Sequence, residues 1–201
     1  MRVGQKLKLP QRQQDFVARR LKEMEGHRFL SMDEQGNFQV VGEPLDEWTP
    51  EELQAVMPEV RELAADPARG DKISKGGLEE AAVALSAENL EVFEDLTRES
   101  TGSAEFEDEN GVEWDVKSPL SPPPGQNWEF SPHHQLEKVR HDFAQGDKVL
   151  FNLTRLDDED RGETIELFRR ELRADERDDL LFFTDFQEVP TTPQQPLVAN
   201  F

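Results

Sequence analysis

The run AEFEDENGVEWDVKSP, residues 104–119, places six carboxylates and one lysine within sixteen residues that otherwise alternate like a β-hairpin. Of the eight lysines, Lys117 alone follows an acid by two positions, in Asp115-Val116-Lys117. Two residues apart on a strand means the same face. On that face a carboxylate could hold a hard divalent cation through oxygen. The ammonium could polarise a metal-bound water and offset charge in a pentavalent phosphoryl transition state.

That chemistry depends on register. Glu109-Asn110-Gly111 suits a three-residue loop, a type I turn followed by a left-handed Gly in a G1 bulge. The loop pairs Asp108 with Val112, Phe106 with Trp114, and Glu105 with Asp115. Phe106 and Trp114, with Ala104 and Val116 beside them, then form one buriable face. Glu105, Glu107, Asp115 and Lys117 fall on the other. A two-residue Asn-Gly turn would shift the pairing by one and split the apolar residues between faces, so the bulged register is preferred. Under it Glu105 and Asp115 lie opposite each other, their Cβ atoms within roughly 5.5 Å. Carboxylates that close repel unless a positive charge lies between them, and a divalent cation is a natural occupant. A solvated acidic outer face of an antiparallel pair is the competing reading of the same residues.

The elements around the hairpin must position it. Residues 11–25 read as a helix with the stripe Phe16, Val17 and Leu21. Residues 27–41 read as a hairpin around Asp33-Glu34-Gln35-Gly36. Thr49-Pro50-Glu51-Glu52 starts a helix with a capping box, running to about Ala65. DPARGDKISKGG, 66–77, is a polar linker that separates an N-terminal region of unassigned role, 1–76, from a second domain, 77–190. In that domain LEEAAVALSAENLEVFEDLTRES reads as one helix, or two broken at Ser86, ahead of the hairpin and a Pro-rich loop. Ser131-Pro132 then caps a helix ending at Gly146, and 148–156, 163–172 and 179–186 follow as strand, helix and strand. The order α-β-β-α-β-α-β implies an α/β (α+β) fold, a central mixed sheet flanked by helices. Residues 191–201 read as an extended tail.

The formal net charge of −21 is spread along the chain. Residues 1–100 carry 13 basic and 21 acidic residues, and residues 101–201 carry 10 and 23. Salt adaptation or selection for solubility would produce this bias, which argues against passive coating of nucleic acid. It does not exclude a nuclease, because a divalent cation and a local basic patch offset the field at a site. No Cys is present, which excludes disulfides, thiolate metal sites and a Cys nucleophile. No run approaches the ~18 apolar residues of a membrane span, and the N-terminus lacks the apolar stretch of a signal peptide. The expectation is a cytoplasmic chain, or one delivered into a target cell, with no membrane partner and no nucleotide cofactor.

A helix, then a hairpin with an acid on its first strand and (D/E)-x-K on its second, then a helix and a further strand, resembles the core of the PD-(D/E)xK restriction-endonuclease-like fold. NGVEWDVKSP, the Pro-rich loop and AQGDKVLFNLTRL resemble more closely the nuclease domains at the C-termini of bacterial polymorphic and contact-dependent toxins. The resemblance spans about residues 77–186. It implies hydrolysis of a DNA or RNA phosphodiester by water with one or two Mg²⁺ or Mn²⁺ ions, and a cognate immunity protein as partner. Asp115 takes the place of the second acid, Lys117 that of the lysine, and Val116 supplies a main-chain carbonyl to the metal. Glu105 stands where the family usually has Asp, with Asp108 as the alternative. A helix acid, Glu80, and a polar residue on the following helix, Gln135, are weaker correspondences.

Arg155, Arg169, Arg170 and Arg173 are the candidates for phosphate contacts, Arg155 first, because Glu166 and nearby acids offer the others helical partners. His133 and His134, about 100° apart on a helix, suit surface or capping roles. Trp128 and Phe130 could stack on a base but fit core packing better. A different class of reading is a non-enzymatic acidic module that mimics nucleic-acid charge or neutralises a basic partner.

Overall fold

The computed structural model describes residues 8–43 and 47–185; the expected tail at 191–201 lies outside them. In chain order the elements are α1 (Gln11–Glu23), β1 (His27–Met32), β2 (Phe38–Val41), α2 (Pro50–Ala64), β3 (Ala65–Asp66), β4 (Lys72–Ile73), α3 (Lys75–Asn89) and β5 (Leu96–Arg98). There follow β6 (Phe106–Asp108), β7 (Glu113–Lys117), α4 (Pro132–Gln145), β8 (Lys148–Asn152), α5 (Asp158–Glu171), α6 (Ala174–Arg177) and β9 (Leu180–Asp185). Seven strands form one mixed sheet in the order β2-β1-β9-β8-β7-β6-β5. The pairs β7–β8 and β8–β9 are parallel, and the others are antiparallel.

Alternation along the strands divides the core in two. Trp114 and Val116 of β7 and Leu150 of β8 join a cluster with the apolar faces of α1, α2 and α3. Val149 and Phe151 of β8 join a second cluster with Leu136 and Val139 of α4 and Ile165 and Phe168 of α5. The sheet is therefore covered on both faces, as parallel strands require.

The helix starts follow their sequence signals. Thr49 and Glu52 form the reciprocal capping box of α2. Ser131 accepts from the His134 amide at the start of α4, and Gly146 closes that helix with φ of 94°, which favours glycine.

Three expectations are corrected. Residues 96–98 form β5 rather than the end of a helix, because α3 stops at Asn89 and the Glu88 carboxylate accepts from the Leu96 amide at 2.6 Å. The stretch 66–77 is no open linker. It holds a two-stranded ribbon, β3–β4, around a 3-10 turn, and the first residues of α3. The boundary expected near residue 76 thus falls at the start of α3, and β1 and β2 on its N-terminal side belong to the same sheet as β5–β9.

Candidate active site

The hairpin adopts the bulged register. Phe106 pairs with Trp114, Glu107 pairs with Glu113, and the Asp108 amide donates to the Val112 carbonyl at 3.0 Å. Gly111 takes φ of 77°. Asp108 holds this turn: Oδ1 accepts from the amides of Asn110 (2.9 Å) and Val112 (3.0 Å), and Oδ2 from the Trp114 indole N–H (3.0 Å). Its carboxylate is thus engaged in holding the loop.

Glu105 immediately precedes β6, and its Oε2 accepts from the Val116 amide at 2.8 Å. That bond brings the side chain across onto β7, against Asp115. Phe106, Trp114 and Val116 are buried on one face of the hairpin, while Asp115 and Lys117 lie on the other, under α4. Asp115 is itself buried, beside Val149 in the parallel ladder with β8.

Lys117 Nζ lies 2.8 Å from Oδ2 of Asp142, on α4, and 3.9 Å from Oδ2 of Asp115. Asp147, between α4 and β8, is also buried, and its amide donates to the Asp142 carbonyl at 3.2 Å. Glu105, Asp115 and Asp142 therefore converge on a single ammonium, with Asp147 beside Asp115 and Asp142.

The electrostatics follow from this crowding. Burial pushes the Asp115 carboxyl up to about 9. A hydrogen bond to Glu105 and the charges of Glu105 and Asp142 add to the rise, and Lys117 opposes it. Burial also pushes Asp147 up to about 6, aided by the charges of Asp115 and Glu113. For Lys117 burial acts in the lowering direction but is outweighed by Asp142, Asp115 and Glu105, which hold the ammonium above the ordinary lysine range. Lys117 is a fixed cation here, not a base.

Glu105, Asp115 and the Val116 main chain offer oxygens to a hard cation, with water completing its shell. The upward shift of the buried Asp115 beside Glu105 marks a place where positive charge is short, so the residues fit such an ion. Among the described residues, the three-carboxylate grouping whose ligand oxygens all lie within 4.8 Å of one another is elsewhere: Glu59 of α2, Glu88 of α3 and Asp95.

The remaining expected residues fall beside the acid cluster. Gln135 and His134 on α4 line a cleft of about 520 Å³ together with Lys117, Trp128 and Lys138. Arg155 lines a second cleft, of about 340 Å³, with Arg19, Arg20, Lys75 and Glu79. Its Nη1 donates to the Ser118 carbonyl at 3.3 Å. Glu80 pairs with Arg98 at 2.9 Å and is separate from the cluster. Arg169 is buried, bonded to Glu166 at 2.7 Å and seated over the Phe38 ring at 4.9 Å.

Asp142 is the residue that sequence reasoning missed. Its signal is present, because Leu136, Val139 and Asp142 recur every three residues on the buried face of α4. An acid on such a face needs a partner. A second buried polar group was also missed. Glu79 of α3 accepts from Arg20 Nε (2.9 Å), Arg20 Nη2 (2.8 Å) and Asn152 Nδ2 (3.1 Å), and Asn152 Nδ2 also donates to Ser118 Oγ at 3.1 Å. This network fixes the segment after β7 against α1, α3 and β8.

Comparisons of the chain with protein-family models, with curated proteins and with solved structures gave no match.

Proposed function

We propose that this chain is a divalent-metal-dependent phosphodiesterase acting on nucleic acid. The observation that carries the reading is the convergence of Glu105, Asp115 and Lys117 on one face of β6–β7, with Asp115 buried among them. A surface acidic face would leave these groups solvated and apart. Here Asp115 is buried at a cost that a bound cation would offset.

Glu105, Asp115 and the Val116 carbonyl would hold Mg²⁺ or Mn²⁺, which when bound supplies Lewis-acid activation of the scissile phosphate and of water. Lys117, kept cationic by Asp142 and aimed between the acids and the adjoining cleft, is suited to neutralise charge that develops on phosphate oxygens. Asp142 is a positioning residue that sets where the ammonium sits. The strand order adds support, since β6–β7 followed by α4 and β8 is the succession the resemblance on WDVKSP implies. The same resemblance extends the proposal to a toxin or effector domain, whose immunity protein would need to cover Lys117 or the cleft beside it.

The test is cleavage of mixed DNA and RNA in the presence of Mg²⁺ or Mn²⁺, wild type beside Asp115→Ala and Lys117→Ala. The reading expects cleavage that either substitution lowers by at least about 100-fold. Absence of cleavage with every metal and substrate, in a chain shown to be folded, overturns it in favour of an acidic binding module.

A further inference from the structure

The two clefts beside the candidate site adjoin. Both are lined by Leu120, in the segment that runs on from Lys117 at the end of β7. Their charge departs from that of the chain. Arg19, Arg20, Lys75, Lys117, Lys138 and Arg155 line them against three acids, Glu23, Glu79 and Glu129, whereas the whole chain has 23 basic and 44 acidic residues. Glu23 and Glu79 are held by Arg19 and Arg20. Lys75 and Lys138 are exposed.

The clefts also carry exposed apolar groups. Trp128 is 45% and Leu120 40% exposed, two of the three large hydrophobic side chains exposed among the described residues. The expectation that Trp128 packs in the core is therefore wrong: it lies in the wall of the cleft that contains Lys117. Phe130, by contrast, packs against the α4–α5 cluster.

We infer that the path formed by these clefts binds single-stranded nucleic acid, with Trp128 as a platform for an unstacked base and the cations on either side of Leu120 following the phosphates. The inference rests on the phosphodiesterase reading and narrows its substrate class. An exposed indole gains by stacking on the face of a base, and duplex bases hide those faces in the helix. Charge points the same way. A duplex carries one negative charge per ~1.7 Å, about twice the density of one strand, and the net −21 of the chain opposes it more strongly.

The test is tryptophan fluorescence of the full chain with metal chelated, titrated with oligo-dT, oligo-U and a duplex of about 12 nucleotides per strand. Trp48 and Trp114 are buried, so quenching reports Trp128. The expected result is quenching by one or both single strands, with the duplex at least ten-fold weaker. Trp128→Leu should weaken single-strand binding, followed by anisotropy of a labelled oligonucleotide, about ten-fold or more, and Lys75→Glu should weaken it most at low salt, the loss shrinking as salt rises. Equal affinity for the duplex, unchanged binding by Trp128→Leu, or absence of binding overturns the inference. Metal-dependent cleavage of duplex that Asp115→Ala abolishes, together with any of those results, would leave the phosphodiesterase standing without this substrate class. Single-strand binding by a chain that cleaves nothing would do the reverse.

Discussion

Asp115 is where the fold and the proposed activity pull in opposite directions. Its carboxyl is raised to about 9 by burial and by Glu105, against an ordinary value near 4. A group more basic in the folded chain than in the unfolded one holds its proton more tightly when folded. Without metal, its contribution therefore favours folding at low pH, and stability declines as pH rises from about 4 through about 9. Asp115→Asn keeps the shape and the donor toward Glu105 but cannot ionise. Thermal unfolding without metal should thus show a higher melting temperature for Asp115→Asn than for wild type near pH 9, and little difference near pH 5. A lower melting temperature at both pH values would mean that the carboxylate is stabilised by groups other than those named.

Much of this was readable at the residue level, because the period-two alternation of 104–117 puts Glu105, Asp115 and Lys117 on one face once Phe106 and Trp114 are buried. The rise of the Asp115 carboxyl was not readable. It depends on Val149 and on Asp142 of α4 closing over the pair, and both come more than twenty positions later.

At the scale of elements, the helices with strong caps were legible and the short strands were not. Thr49 and Ser131 announce α2 and α4 through side-chain acceptors that serve orphan amides. β5 is three residues long and has no period to detect; it exists because β6 offers it a partner, which only the assembled sheet reveals. The packing of α2 on α3 places Glu88 next to Glu59, and burial with the charges of Glu59 and Asp95 raises Glu88 to about 7. Here too the shift is upward, so its contribution to stability is lost between about pH 4.5 and 7. Glu88→Gln retains an acceptor for the Leu96 amide and gains a donor toward Glu59. It should raise the melting temperature at pH 8 by about 2–4 °C, the size of a 1 kcal/mol gain in a chain of this length, and by less at pH 5. An equal change at both pH values would assign the effect to packing instead of charge.

Across the whole molecule, the pairing of β1 with β9 was the long-range feature the sequence could not disclose. His27–Met32 alternates like any half-buried strand, and nothing local selects a partner some 150 residues away. That pairing brings the N-terminal region into one sheet with β7, and α1 and α3 place Arg19, Arg20 and Lys75 around the cleft that meets the Lys117 cleft at Leu120. Six basic residues thus line the two clefts of a chain whose net charge is −21. The proposed activity requires a cation at the Glu105–Asp115 pair. The most direct measurement is calorimetric titration of Mn²⁺ into the metal-free full chain near pH 7, in two buffers of different ionisation enthalpy, with wild type, Asp115→Asn and Glu88→Gln compared. The account predicts binding with release of a proton, lost in Asp115→Asn and unchanged in Glu88→Gln. Binding that survives Asp115→Asn, or that disappears with Glu88→Gln, would place the ion elsewhere and contradict it, as would no binding at all.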